Sequence, residues 1–366
     1  MDYLEKYGIP RFINAHDTIT LYGGSRMSKE VFEAMEQMSS CFTDILLLQK
    51  ILGERIAKLT HNEAAYIAGS ASGALLLCGA AVMCGDDAYR YRRLPDTEGI
   101  KDQILVLHGQ YHCYVKALEG AGAKIGLVGD ADEVLPGDLW HSIDEKTAAI
   151  LYTTAQPFQK ASLSLKETIE IAHKKDVPVI VDAAAQLPPA SNLWIFTEMG
   201  ADMVIFSGGK SLMGPQASGL IVGKREWIRR CISYGSPNHG ICRSAKISRE
   251  AMIGLCVAME SYMERDHEKE RERWSDMVDQ MAGALKGEMY HPVRIESGSV
   301  GQTYPRLVLE LGKGAMAEDV RERMYQRHIF VGCDKKENRI YISPQNLTEV
   351  EWKQVVGAFK EIEEGM

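Results

Sequence analysis

Short apolar runs that alternate with helical patterns through the first two thirds of the chain restrict its fold more than any other feature. Strand-like runs fall at Tyr66 to Ala68, Ile104 to Leu107, Ala148 to Tyr152, Val177 to Asp182, Met203 to Phe206 and Leu220 to Val222. Between them the spacing predicts helices over Ala74 to Met83, Val115 to Ala121 and Leu165 to Lys174. The runs are continuously apolar rather than alternating, and Gly, Pro or Ser bounds them. That pattern implies an α/β fold whose mostly parallel sheet is covered on both faces.

The remainder reads differently. From Ser248 to about Leu285 the pattern is helical, with Met252, Cys256, Met259 and Met263 at core spacing. The charged stretch Glu264 to Arg273 within it is read as a solvated bend or face. Strands expected at Pro305 to Leu311, Ile329 to Gly332 and Ile340 to Ser343, with helices at Ala317 to Arg327 and Thr348 to Glu363, form a small α+β domain. The expected organisation is an N-terminal arm over 1–29, a large domain over 30–245, and a linking helix with the small domain over 246–366. A chain of 366 residues, 45% hydrophobic and 25% charged, can support two such cores.

Charge and cysteine usage narrow the function classes. The net charge is −8, and the basic residues are scattered apart from the cluster Arg90 to Arg93, so no nucleic-acid partner is expected. The eight cysteines form no C-x-x-C pair and fit a reducing cytoplasm. No signal peptide or membrane span is evident, so a cytoplasmic location without a membrane partner is expected.

The chemistry concentrates in FSGGKSLMGPQASG, residues 206 to 219, which sets Lys210 in a glycine-rich turn directly after a buried strand. Strand ends of open α/β sheets are where ligands bind, and partial desolvation there turns a lysine into a nucleophilic amine. A P-loop requires glycine where Val204 stands, and a nucleophile elbow requires serine where Ala71 stands, so neither reading survives. Asp182 ends VPVIVD ahead of the small residues Ala183 to Ala185, where a carboxylate can pair with a ring nitrogen. It can also simply cap a turn before Pro188. GSASG at 69 to 73 follows a strand and opens a helix; its N–H groups with Ser70, Ala71 and Ser72 suit a phosphate, or the serine is a plain helix cap. Ser207 is a further candidate phosphate ligand.

Taken together these segments resemble fold-type I enzymes dependent on pyridoxal 5'-phosphate (PLP). Within them the chain is similar to the selenocysteine synthase-like group, which includes bacterial selenium transferase and D-glucosaminate-6-phosphate ammonia-lyase. The resemblance runs from INAHDTITLYGGSRMS (13 to 28) through GSASG, LPDTEG (94 to 99), VIVDAAAQLPP (179 to 189) and the lysine segment to GICRSAKIS (240 to 248). It implies Lys210 as the Schiff-base lysine, Asp182 at the ring nitrogen and Ser70 to Ser72 at the phosphate. It also implies a substrate-anion pocket from Arg26, Arg243 and Lys246, in which Lys246 replaces an arginine's planar fork by a point charge. Surface placement is the competing reading for the two arginines.

A residue stacked on the ring is expected in HGQYHCY, where sequence does not separate His108, Gln110 and His112; His112 is preferred. No metal is expected, because no acidic or cysteine partner completes a site with these histidines. His16 either tunes substrate choice or fills space. Arg306 and Arg339 either hold the substrate's α-carboxylate or lie on the surface. The implied reaction is α,β-elimination from a small anionic or phosphorylated amino acid to a 2-keto acid and ammonia, in a homodimer or larger assembly. Selenium transfer to seryl-tRNA, racemisation and transamination share the same carbanion chemistry. Selenium transfer also goes with an added RNA-binding domain, whereas INAHDT here begins at Ile13. A PLP-binding regulator without turnover is the alternative from another class.

Overall fold

A computed structural model describes residues 1–312 and 314–365. They form two compact units. The larger comprises Met27–Glu264 with Ser299–Gly301; the smaller comprises Met1–Arg26, Arg265–Gly298 and the described residues from Gln302 onward.

The larger unit is built on seven strands: β1 (Ala64–Ala68), β2 (Gln103–Leu107), β3 (Lys124–Val128), β4 (Thr147–Thr153), β5 (Val179–Asp182), β6 (Met203–Ser207) and β7 (Gly219–Gly223). Their order is β1-β7-β6-β5-β4-β2-β3. The pairs β2–β3, β2–β4, β4–β5 and β5–β6 are parallel, while β7 runs against both of its neighbours. Strands β4, β5 and β7 are buried at every position, as continuous apolar runs require when both faces are covered. Successive residues serve opposite cores: Ile150, Tyr152, Val179 and Val181 enter one, while Ala149, Leu151 and Ile180 enter the other. Edge strand β3 escaped the sequence reading because a central Gly126 and an exposed Lys124 and Leu127 interrupt its apolar run.

Helices α1 (Lys29–Ser39), α2 (Ile45–Leu59), α3 (Ala71–Cys84), α4 (Leu165–His173), α5 (Arg225–Tyr234) and α6 (Arg249–Glu264) belong to this unit. Residues of α2, α4 and α6 pack into the first core, and those of α3 and α5 into the second. Helix α3 is apolar around its whole circumference and is accordingly interior.

The helical run expected from Ser248 to Leu285 is two helices. It breaks in the charged stretch, where Asp266 caps α7 (His267–Leu285) by accepting from the Lys269 N–H at 3.1 Å. The division between units falls at this break, so α6 packs on α1 and α2 within the larger unit. In the smaller unit β8 (Tyr290–Ile295), β9 (Arg306–Leu311), β10 (Gly332–Asp334) and β11 (Arg339–Ile342) form an antiparallel sheet of order β10-β11-β9-β8. Helix α7, α8 (Ala317–Gln326) and α9 (Glu351–Glu364) share its core, with Met281, Leu307, Ile340 and Phe359 at the centre. The chain's start joins this unit through parallel pairing of Ile13–Asn14 with Ile329–Phe330. Among the described residues no helix is long and apolar enough to cross a membrane.

One close approach ties β7 to α3. A Cβ on Gly219 would lie 2.4 Å from the Ser70 carbonyl carbon and 2.7 Å from the Ala71 nitrogen, both backbone atoms. Gly219→Ala is therefore expected to destabilise the protein by about 1–3 kcal/mol through overpacking. A lower urea-denaturation midpoint would show it, and an unchanged midpoint would refute the close contact.

Candidate active site

Strand β6 delivers Lys210 through a turn that is fixed at many points. The Gly208 N–H donates to the Ser218 carbonyl at 3.0 Å, the Gly214 N–H to the Gly208 carbonyl at 2.9 Å, and the Met213 N–H to the Lys210 carbonyl at 2.9 Å. Neither glycine leaves room for a side chain: a Cβ would come 2.0 Å from Ser218 Oγ at position 208 and 2.6 Å from Gln216 Cα at position 209. The Ser211 hydroxyl donates to the Leu187 carbonyl at 2.7 Å, binding this turn to the loop that follows Asp182. The glycines of the motif thus serve close backbone packing, and the lysine's anchor is rigid.

Asp182 ends β5 beside it. Oδ1 accepts the Ala184 N–H at 3.0 Å, and the residue is buried. Burial pushes its carboxyl pKa up, while the Ala184 N–H, His112 and Lys210 act in the opposite direction. His112 stands after the turn His108–Gln110 that follows β2. Its Nδ1 accepts the Tyr114 N–H at 3.2 Å, which leaves the proton on Nε2 to be donated to Thr153 Oγ1 at 3.1 Å. Its ring stacks on Phe158 with centroids 5.2 Å apart.

Lys210, Asp182, His112, Thr153, Ala184 and Ala185 line one cavity of about 170 Å³. A cavity of about 150 Å³ already holds a benzene ring, so this one suits a single substituted aromatic ring. Of the three stacking candidates, His112 is the one at this cavity. Gln110 is buried and spends its amide on Ser162 Oγ (3.0 Å) and the Thr153 N–H (2.7 Å).

The turn 69–73 forms the start of α3. Ser70 is its N-cap, with Oγ accepting the Gly73 N–H at 2.9 Å, and Ser72 is exposed. Ser207 pairs with Gly219 in register, and Gly219 abuts Ser70 and Ala71, so the ends of β6 and β7 and this helix start are neighbours. The segment bearing Arg243 and Lys246 passes alongside: a Cβ on Gly69 would meet the carbonyl oxygens of Ala245 and Lys246 at 2.7 and 2.8 Å.

The remaining candidates lie in the smaller unit. Arg26 forms a two-pronged ion pair with Glu351 at 2.8 and 2.9 Å and donates to the Asn346 carbonyl. Arg306 is buried, contrary to its surface reading, because it bonds Asp17 at 2.8 Å, the Tyr304 hydroxyl at 2.6 Å and Gln302 at 3.2 Å. Arg339 pairs with Glu310 at 2.7 Å. His16 lies against Gly332, where a Cβ would come within 2.7 Å of its ring. The sequence reading missed Gln186 and Val300 at the cavity. The Gln186 amide donates to the Val300 carbonyl at 2.9 Å, and no local pattern marks a short glycine-flanked segment more than a hundred residues away as its partner.

Comparison with known proteins adds the lineage. The family model SelA, L-seryl-tRNA selenium transferase, matches residues 48–291. The chain belongs to this family. It is 29% identical over 371 aligned positions to a D-glucosaminate-6-phosphate ammonia lyase of Salmonella typhimurium (strain 14028s / SGSC 2262), covering 98% of this chain and 97% of that protein. A solved structure of D-glucosaminate-6-phosphate ammonia-lyase superposes with a TM-score of 0.88 at 28% identity, covering 100% of this chain and 99% of that one. An L-seryl-tRNA(Sec) selenium transferase of Haemophilus influenzae (strain PittEE) is 27% identical over 225 residues, 58% of this chain and only 45% of that protein. The family's fold is the type I fold of PLP-dependent enzymes, with the large mostly parallel sheet and the small antiparallel one found here.

Burial draws the His112 pKa below its ordinary value, and Asp182 acts the other way. An unfolded histidine then binds its proton first, so this group's contribution to stability is complete above about pH 6.5 and declines below it. Between about pH 7.5 and 5.5 the thermal midpoint of the wild type is expected to fall further than that of His112→Phe, with Asp182 and Lys210 present in both. An equal or smaller fall in the wild type would rule this titration out.

Proposed function

We propose that this chain binds PLP covalently through Lys210 Nζ and eliminates across the α,β bond of a small anionic amino acid, releasing ammonia and a 2-keto acid. The observation that carries this reading is the meeting of Lys210, Asp182 and His112, from the ends of three different strands, on one ring-sized cavity. The residues fit the cofactor. Asp182 is a buried carboxylate whose desolvation calls for a cation, and a protonated ring nitrogen is one. The His112 imidazole offers a flat face to a ring. The free N–H groups expected at the start of α3, with its macrodipole, suit the phosphate, and Ser72 and Ser207 add hydroxyls.

When bound, the cofactor supplies an electron sink for the pair left at the substrate's α-carbon. Once the substrate's amine has taken its place on the cofactor, the freed Lys210 Nζ would take the proton from that carbon and return a proton to the departing β-group. Asp182 would hold the proton on the ring nitrogen, and the His112 ring, held by Thr153 and Tyr114, would pack against the cofactor ring. Arg243 and Lys246, carried beside the helix start, would bind the substrate's anionic end. The name of the Salmonella relative, aligned over nearly the whole of both chains, supports a phosphorylated sugar amino acid such as D-glucosaminate 6-phosphate. The exposed Phe42, Leu46, Leu47 and Ile51 on and before α2 support a homo-oligomer. The family name favours a second reading, transfer to a seryl-tRNA, against which the net charge of −8 weighs.

The purified protein is expected to show a visible absorption band that borohydride bleaches and Lys210→Ala lacks. With D-glucosaminate 6-phosphate it should release equal amounts of ammonia and keto acid. A colourless protein that stays so with added PLP would overturn the cofactor reading. A coloured protein inert toward the substrate yet active on charged tRNA would favour the second reading, and one inert toward amino acids generally would make it a regulator. Asp182→Asn, at equal cofactor loading, is expected to lower kcat about 10²–10³-fold in the same assay, as loss of an aligned charge does.

A further inference from the structure

The cluster Arg90 to Arg93 has no part in the cavity described above, and the structure separates its members. Arg90 pairs with Asp87 at 3.3 Å and Arg93 with Asp96 at 2.8 Å. Arg92 instead lines a second cavity of the larger unit, about 430 Å³ in volume, together with Arg229, Arg230, Asp86, Asn238 and His239. Three arginines and a single acidic residue therefore line it, in a chain whose net charge is −8. Asp86 already serves two of them, accepting from Arg229 at 2.7 Å and from Arg230 at 3.2 Å, and Glu226 reaches Arg230 only at 4.0 Å.

The walls are fixed. The rings of Tyr91 and Tyr234 stack at 4.3 Å; the Tyr91 hydroxyl donates to the Tyr234 carbonyl at 2.6 Å and the Tyr234 hydroxyl to the Gly85 carbonyl at 2.8 Å. The Cys242 N–H in turn donates to the Tyr91 hydroxyl at 3.3 Å. A preformed polar cavity with surplus cationic charge binds without first having to order itself. Planar guanidinium forks match phosphate oxygens two at a time, and the volume admits an organic body attached to the phosphate.

We infer that this cavity is a second ligand site, separate from the Lys210 cavity, for a small phosphorylated organic anion. Trp227 provides a local reporter, because the Arg230 guanidinium lies 4.3 Å above its ring. The test uses the PLP-loaded protein, glucose 6-phosphate as probe and glucose as the neutral control, with intrinsic fluorescence as readout. A saturable change is expected with the phosphate alone, lost in Trp227→Phe. In Arg92→Gln/Arg229→Gln its dissociation constant should rise about tenfold or more, as removal of charge-assisted hydrogen bonds implies. Arg243→Gln should leave it unchanged, which separates this site from any phosphate bound beside the Lys210 cavity. No saturable change, an equal response to glucose, or binding that survives the double substitution would overturn the inference, whatever the outcome for the proposed lyase activity.

Discussion

The Asp182 carboxylate is buried at the end of a strand buried along its full length, and this placement sets the terms for everything around it. An ionised carboxylate in such surroundings is unfavourable by several kcal/mol unless hydrogen bonds or a cation compensate. The protein supplies one backbone N–H, and its remaining electrostatic partners are His112 and Lys210 across the cavity. A buried acid facing a lysine and a neutral imidazole is poorly explained as a stabilising feature of the fold. Under the proposed function it would be half of a charge pair whose other half is the ring nitrogen of a ligand, and a ligand that binds only the folded state stabilises that state by an amount that grows with the logarithm of its concentration above Kd.

Sheet topology explains why these groups meet. Because β4, β5 and β6 are parallel neighbours, their carboxyl ends lie in a row, and each contributes there: Thr153, which holds His112, then Asp182, then Lys210. Strand β7 alone runs the other way, so it begins at the edge where its neighbours end. Its first residue, Gly219, therefore touches the turn that opens α3. The lysine turn and the candidate phosphate turn are thus positioned against each other through one residue without a side chain. The same antiparallel strand that closes the lysine loop as a hairpin sets its distance to the helix start.

What was legible in the sequence followed from burial. Strands β1, β2, β4, β5, β6 and β7 are apolar because both faces are covered, and the Lys210 motif is dense in glycine because backbone packs on backbone there. Strand β3 carried a weaker signal, since Lys124 and Leu127 on it are exposed and Gly126 interrupts its apolar run. The break between α6 and α7 was hidden by continuous helical spacing, with only the charge run Glu264 to Arg273 to mark it. Partners distant in sequence left no local trace at all. Arg26 with Glu351, Arg306 with Asp17, and Gln186 with Val300 are each fixed by tertiary packing, and a single chain does not announce which arginine will be neutralised.

The start of α3 shows how two readings of one motif can both hold. Ser70 is a helix cap, and its hydroxyl is occupied by the Gly73 N–H; the Ala74 N–H is taken by the Ser70 carbonyl. A helix start does not satisfy its first N–H groups internally, so those of Ala71 and Ser72 remain the natural donors for an anion. The cap orients the turn, and under the proposed function the backbone beyond it would do the binding. On this division of labour a change at Ser70 disturbs the helix start and the anion site together, whereas a change at the exposed Ser72 bears on the anion alone.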